Sequence, residues 1–152
     1  LSGEVRAHHR VLALLFAADR LMHLEEIYSR VRRGVVVVSD RYLLSSLAYQ
    51  GLYMPDEWVR TINRYAPPAD LTVIVDVPAE VALERISRRG KARELFEDKV
   101  VLEAIRERFL KLGAEFGAVV VDGDRPPERV HEDIWMALAE KLGVKGREIQ
   151  GS

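Results

Sequence analysis

Residues 35–51 read VVVVSDRYLLSSLAYQG, and the fold turns on how that stretch is taken. Val35 to Val38 are four consecutive β-branched residues between Gly34 and a polar cluster. A run apolar on both faces predicts an inner strand of a parallel sheet covered by helices, at 35–39. A half-exposed hairpin strand would alternate instead. Ser39, Asp40, Arg41 and Tyr42 then fall at the carboxyl end of that strand, where open α/β sheets place their ligands. An acid and an arginine side by side there can serve a metal-bound phosphate, because a guanidinium grips phosphate oxygens as a fork. The plainer alternative for a bare Asp-Arg-Tyr is a buried strand capped by a solvated ion pair. Ser45, Ser46, Ala48, Tyr49, Gln50 and Gly51 continue in small, hydrogen-bonding and aromatic residues, which suit the wall of a nucleotide pocket.

Outside this stretch, composition narrows the class. A chain of 152 residues fits one domain and can bury a real core. We expect one unit over 1–143 and a loose tail over 144–152. Lys plus Arg number 23 against 24 Asp plus Glu, for a formal charge of -1, so no basic field for nucleic acid or an anionic membrane is implied. The absence of cysteine excludes disulfides and thiolate metal sites. Apolar runs are broken by charge well short of a membrane span and no signal peptide is visible, so a cytoplasmic protein is expected. Arg outnumbers Lys by 18 to 5, and the amides are three: Gln50, Asn63 and Gln150. That bias suggests a thermophile, and it draws attention to Gln50.

The segment before the valines carries no helix breaker from Ser2, a candidate N-cap, to Arg33, with Gly34 where a C-terminal glycine belongs. Leu24, Ile27, Tyr28 and Val31 form one apolar stripe of this helix, and Leu12, Leu15 and Phe16 a broader region. Phe16 and Arg20 are four apart and share a face; on spacing alone, Phe16 is core and Arg20 snorkels to water. His8, His9 and His23 have no metal-ligand spacing and read as surface or core-edge residues.

After the opening stretch, Pro55 starts a helix with Trp58, Val59, Ile62 and Tyr65 at helical apolar spacing, ended by Pro67 and Pro68. Leu71 to Val77 is a second buried strand, with Asp76 near its end in a structural role. A helix from Pro78 to about Arg88 leads into a basic segment, Arg85, Arg88, Arg89, Lys91 and Arg93, hinged at Gly90. A further helix spans Asp98 to Leu112 with Gly113 as its stop, and 118–122 is a third strand. Asp122-Gly123 follows it, which turn chemistry alone explains. Pro126 and Pro127 open a last helix ending at Gly143. Strands alternating with helices predict a doubly wound α/β domain.

SDRY followed by SSLAYQG, LLFAADR at 14–20, and PADLTVIVDVPAEVALER at 68–85 resemble the thymidylate kinase family over nearly the whole chain. The resemblance implies a P-loop nucleoside-monophosphate-kinase-like fold, with ATP and Mg2+ as cofactors and dTMP as acceptor. It implies an acceptor site over 12–51, a lid over about 85–97, and a homodimer. By that resemblance Phe16 stacks on thymine, while Arg20 and Gln50 meet its carbonyl and N3 edges. Tyr49 crowds the sugar's 2′ position, Ser45 joins the site, and Arg41 holds the acceptor phosphate. Asp40 acts on magnesium through its water shell. In the lid Arg89 packs on adenine and either Lys91 or Arg93 faces the phosphates, while Asp122 and Gly123 lie beside the adenine.

One feature of the family is missing. No G-x-x-x-x-G-K-[ST] occurs among these residues, although that loop supplies the N–H nest and lysine for ATP. The chain opens on Leu1, so we expect a longer gene product whose upstream strand and loop complete the sheet, and no catalysis by residues 1–152 alone. A deoxynucleoside kinase of the same fold, or a non-catalytic domain that binds nucleotide or a partner, are the alternatives.

Overall fold

The computed structural model describes residues 3–88 and 99–144. They fall into two compact units, Leu1–Pro68 and Ala69–Ser152.

The first unit is helical. It comprises α1 (Gly3–Val31), α2 (Leu43–Tyr49), a 3-10 turn (Gln50–Leu52) and α3 (Asp56–Ile62). The 29 residues of α1 make a rod of about 44 Å. Past its end Gly34 takes φ +75° and donates its N–H to the Val31 carbonyl at 2.9 Å, a left-handed stop that glycine adopts without a Cβ penalty. Buried His9, Ala13, Ala17 and Leu24 recur at four- and seven-residue spacing, so one face of α1 packs on the 3-10 turn and α3. The expected stripe is only half right: Leu24 is buried, whereas Tyr28 and Val31 are exposed. Leu44, Leu47 and Ala48 from α2 meet Met54 and Val59 to complete this core. His9 belongs to its edge, its ring stacked on Tyr53 at 4.0 Å between centroids. Burial, helped by neighbouring His8, lowers the pKa of His9.

The predicted strand at 35–39 is not formed. Val35 to Val38 run extended with no ladder partner among the described residues and are 43, 52, 36 and 84% exposed. The physical reason is that a strand exists by its hydrogen bonds to a neighbour. The apolar run specified a surface to be covered, and no described segment covers it.

In the second unit, β1 (Val73–Asp76), α4 (Ala79–Arg88), α5 (Lys99–Phe116), β2 (Val119–Asp122) and α6 (Pro127–Leu142) alternate in α/β order. The two strands pair in parallel with Val73 opposite Val119 and Asp76 opposite Asp122. Such pairing requires the long crossover that α4 and α5 provide. Both strands predicted here exist, trimmed at their ends. The expected stop at Gly113 does not hold. Helix α5 runs on to Phe116 and ends at Gly117 with φ +64°. A Cβ on Gly113 would lie 2.5 Å from Cδ1 of Ile74 on β1. The glycine is therefore there to let helix and strand approach closely. Ile74, Ile105, Leu112, Val121 and Ala139 form the core. Gly143, at φ +67°, ends α6 as expected.

Candidate functional site

The residues singled out within 12–51 all lie in the first unit. Arg20, on the packed face of α1, does not snorkel outward as spacing alone suggested. Its Nη2 donates to Ser46 Oγ at 2.7 Å and to the Tyr42 carbonyl at 3.4 Å, and its Nη1 donates to Asn63 Oδ1. The guanidinium also lies over the Tyr42 ring, 5.3 Å from its centroid, in cation–π range. Burial holds the pKa of Arg20 below its usual value, with Tyr42 and Asp19 opposing. Burial likewise pushes the Tyr42 phenol up, against the pull of Arg20. One side chain thus ties α1 to α2 and α3.

Phe16, one turn before Arg20, is 50% exposed. The core alternative for it therefore fails, since half of the residue is open to solvent. Arg41 sits at φ +68°, the one non-glycine with positive φ among the described residues. A bulky residue adopts that backbone only when its surroundings impose it, a form of strain concentrated at functional sites. Ser39 Oγ donates to the Arg41 carbonyl at 2.9 Å and steadies the turn. The Arg41 guanidinium stacks over Tyr49, 4.9 Å from the ring centroid, so two predicted residues are brought together. Ser45 is half-buried in the first turn of α2, its N–H on the Tyr42 carbonyl at 3.1 Å.

Gln50 opens the 3-10 turn directly after Tyr49. Its Oε1 is buried with no hydrogen-bond partner among the described residues. A buried acceptor left unsatisfied costs about 1–3 kcal/mol, and such an atom in a native fold calls for an explanation.

Asp40 is exposed. Among the described residues no group of three or more His, Cys, Asp or Glu could cage a metal. A lone carboxylate still fits magnesium, which keeps several waters and binds through one or two carboxylates plus substrate phosphates.

In the second unit, the loop after β2 is held by its own turn chemistry. Asp122 accepts the Asp124 N–H at 2.9 Å and lies 3.4 Å from Arg125 Nε. Gly123 donates its N–H to the Asp76 carbonyl at 2.7 Å. A Cβ there would come within 2.6 Å of both Val75 and Val77, so packing against β1 already explains this glycine. Arg85 donates to the Gly123 carbonyl at 2.9 Å, joining α4 to that loop. Asp76 is structural, as expected: Arg106 on α5 grips its two carboxylate oxygens at 2.7 Å each, and this holds the Asp76 carboxyl below its usual pKa. Arg89, Lys91 and Arg93 lie outside the described residues.

Asn63 and Arg106 are partners that reading the sequence missed, and Arg85 was read only as part of the basic segment. Asn63 had a signal: it is as rare in this chain as Gln50, which the scarcity of amides did mark. The other two reach across 38 and 30 positions and had none.

Comparison with known proteins adds an independent line. The family model described as thymidylate kinase matches residues 1–134. A "Probable thymidylate kinase" of Pyrobaculum aerophilum is 46% identical over 134 residues, covering 87% of this chain and 68% of that protein. One of Methanothermobacter thermautotrophicus is 42% identical, covering 89% and 66%, and one of Methanocaldococcus jannaschii 38% identical, covering 88% and 70%. The chain thus spans about two thirds of each relative's length. No helix among the described residues is long and apolar enough to cross a membrane.

Proposed function

The chain belongs to the thymidylate kinase family, and from that premise we propose that it carries the acceptor side of an enzyme moving the γ-phosphoryl of MgATP to dTMP, yielding dTDP. The carrying observation is the orphaned, buried Oε1 of Gln50. A pyrimidine bearing an N3–H supplies the donor it lacks. Phe16 stacks on the base, Arg20 donates to the base carbonyl, and Tyr49 borders the sugar with Ser45 alongside. Arg41, preset by its backbone, holds the acceptor phosphate, and Asp40 orders magnesium's water shell. Positioning and charge stabilisation are the whole of the protein's task in such a transfer. On the ATP side, Arg89 and the loop of Asp122 and Gly123 flank adenine, and Lys91 or Arg93 meets the triphosphate.

Two wider features belong to this reading. The extended, exposed valines 35–38 suit pairing with a strand from polypeptide beyond residues 1–152, and the same segment would bring the loop that cradles the triphosphate. Residues 1–152 by themselves are then inactive. On α1, Val11, Leu15, Ala18 and Met22 make an exposed apolar stripe opposite the packed face, which suits a self-complementary two-fold contact and hence a homodimer. The Arg-rich, amide-poor composition suits a heat-adapted, cytoplasmic enzyme.

The test incubates residues 1–152, and separately the longest natural reading frame that contains them, with MgATP and either dTMP or thymidine. Products are separated by chromatography. The expected result is dTDP from the longer polypeptide and none from the shorter. Phosphorylation of thymidine in place of dTMP would move the reading to a deoxynucleoside kinase. Turnover by the short chain would overturn the external loop.

A further inference from the structure

We infer that Asn63 is a positioning residue for base selection, holding the Arg20 guanidinium in one orientation without cancelling its charge. Asn63 is the chain's one asparagine and is only 4% exposed. It caps the C-terminus of α3, and each of its polar groups is engaged. Its N–H donates to the Arg60 carbonyl at 3.2 Å and its carbonyl accepts the Ala66 N–H at 2.9 Å. Its Nδ2 donates to the Val59 carbonyl at 2.8 Å. That last bond decides which way the amide points: with Nδ2 on a carbonyl, Oδ1 is turned to the donor opposite it, Arg20 Nη1.

The acceptors around Arg20 are Asn63 Oδ1, Ser46 Oγ and the Tyr42 carbonyl. All three are neutral. Among the described residues no carboxylate forms an ion pair with this half-buried guanidinium, and Asp19 acts on it only at longer range. A carboxylate at position 63 would grip it more strongly and would spend its charge inside the protein. The amide orients the group and leaves the charge for a ligand. Three of its five N–H groups are taken by these contacts, which leaves two to donate among the described residues.

A guanidinium held this way only donates. It donates to the carbonyl of thymine and opposes the amino group that cytosine carries at the same position, since a fixed polar group left unpaired is what discriminates between such edges. This rests on the reading above that Arg20 meets the base carbonyl.

The experiment measures equilibrium binding of dTMP, dCMP and ATP to the longest natural reading frame and to its Asn63→Ala, Asn63→Asp and Arg20→Ala variants, with thermal melts to verify folding. For Asn63→Ala we expect dTMP binding weaker by about tenfold, a reduced preference for dTMP over dCMP, and unchanged ATP binding. Asn63→Asp should fold and still bind dTMP about tenfold more weakly, because the guanidinium is now neutralised; it also carries the test if Asn63→Ala does not fold. Equal losses for dTMP and dCMP, or dTMP binding by Asn63→Asp at the unmodified level, would reduce Asn63 to a structural residue and overturn the inference. Arg20→Ala separates the premise from the inference. If it leaves the dTMP-over-dCMP preference intact, the base reading itself is wrong.

Discussion

Replacing Gln50 by leucine should move stability and ligand binding in opposite directions. Among the described residues nothing donates to the buried Gln50 Oε1, a condition that costs about 1–3 kcal/mol. Gln50 as a whole is only partly buried, so the lower part of that range applies, about 1 kcal/mol. Leucine keeps the side-chain stem and removes the orphaned acceptor. The bond from the Gln50 N–H to the Ser46 carbonyl is a backbone contact and survives. The ligand-free variant should therefore melt higher, by about 3 °C for a chain of this size. With dTMP the sign reverses. The N3–H would face a methyl group, and losing that bond with its desolvated donor costs about 1–2 kcal/mol, or roughly 5- to 30-fold in affinity. The assay is thermal melting of the longest natural reading frame with and without dTMP, and a titration with ATP as control. The unmodified protein should gain more from saturating dTMP than the variant does, so the two stability orders cross. A ligand-free variant less stable than the unmodified protein would mean that the amide is a structural bond. A dTMP-induced shift equal to that of the unmodified protein would remove Gln50 from the site.

Arg41→Lys keeps the charge and loses the fork that grips phosphate, so kcat should fall by about a hundredfold with the melting temperature unchanged; near-normal turnover would make Arg41 structural. Gly113→Ala gains helix propensity but drives a Cβ to 2.5 Å from Ile74 Cδ1, for a net loss of about 1 kcal/mol. In an Ile74→Val background, which lacks that methyl, the same change should stabilise, and chemical denaturation of the four proteins tests the reversal. Asp76→Asn should cost about 1–2 kcal/mol at neutral pH, less than a fully buried pair because the Arg106 side chain is 40% exposed. Arg106 lowers the folded pKa of Asp76 below its ordinary 3.8, so the pair's contribution is complete above about that pH and is lost as pH falls through the folded value. The difference between Asp76→Asn and the unmodified protein should therefore vanish in acid, and a gap that persists there would contradict the ion-pair account.

What the sequence determined by itself was local. Gly34 and Gly143 were legible as helix stops because a left-handed residue past a helix end is a matter of a few neighbouring bonds and a missing Cβ. Pro126 and Pro127 at the start of α6, and the parallel character of the strands around Val73 and Val119, follow from equally short-range rules. The grouping of the candidate residues was legible too, because Phe16 and Arg20 share one helix face and Asp40 to Gln50 form one contiguous run. Tertiary structure decided the rest, where the outcome depends on which distant segment arrives. Gly113 reads as a stop along the chain, and it is the nearness of Ile74 that makes it a packing glycine within a continuing helix. Four valines announce apolar surface but cannot announce a neighbour, so 35–38 lie extended and uncovered where an inner strand was predicted. Arg20 looked free to reach water, yet Asn63, 43 positions on, turns it inward. Local sterics and capping are written in adjacent residues, whereas burial and charge pairing arise from contacts between segments whose meeting no short pattern encodes.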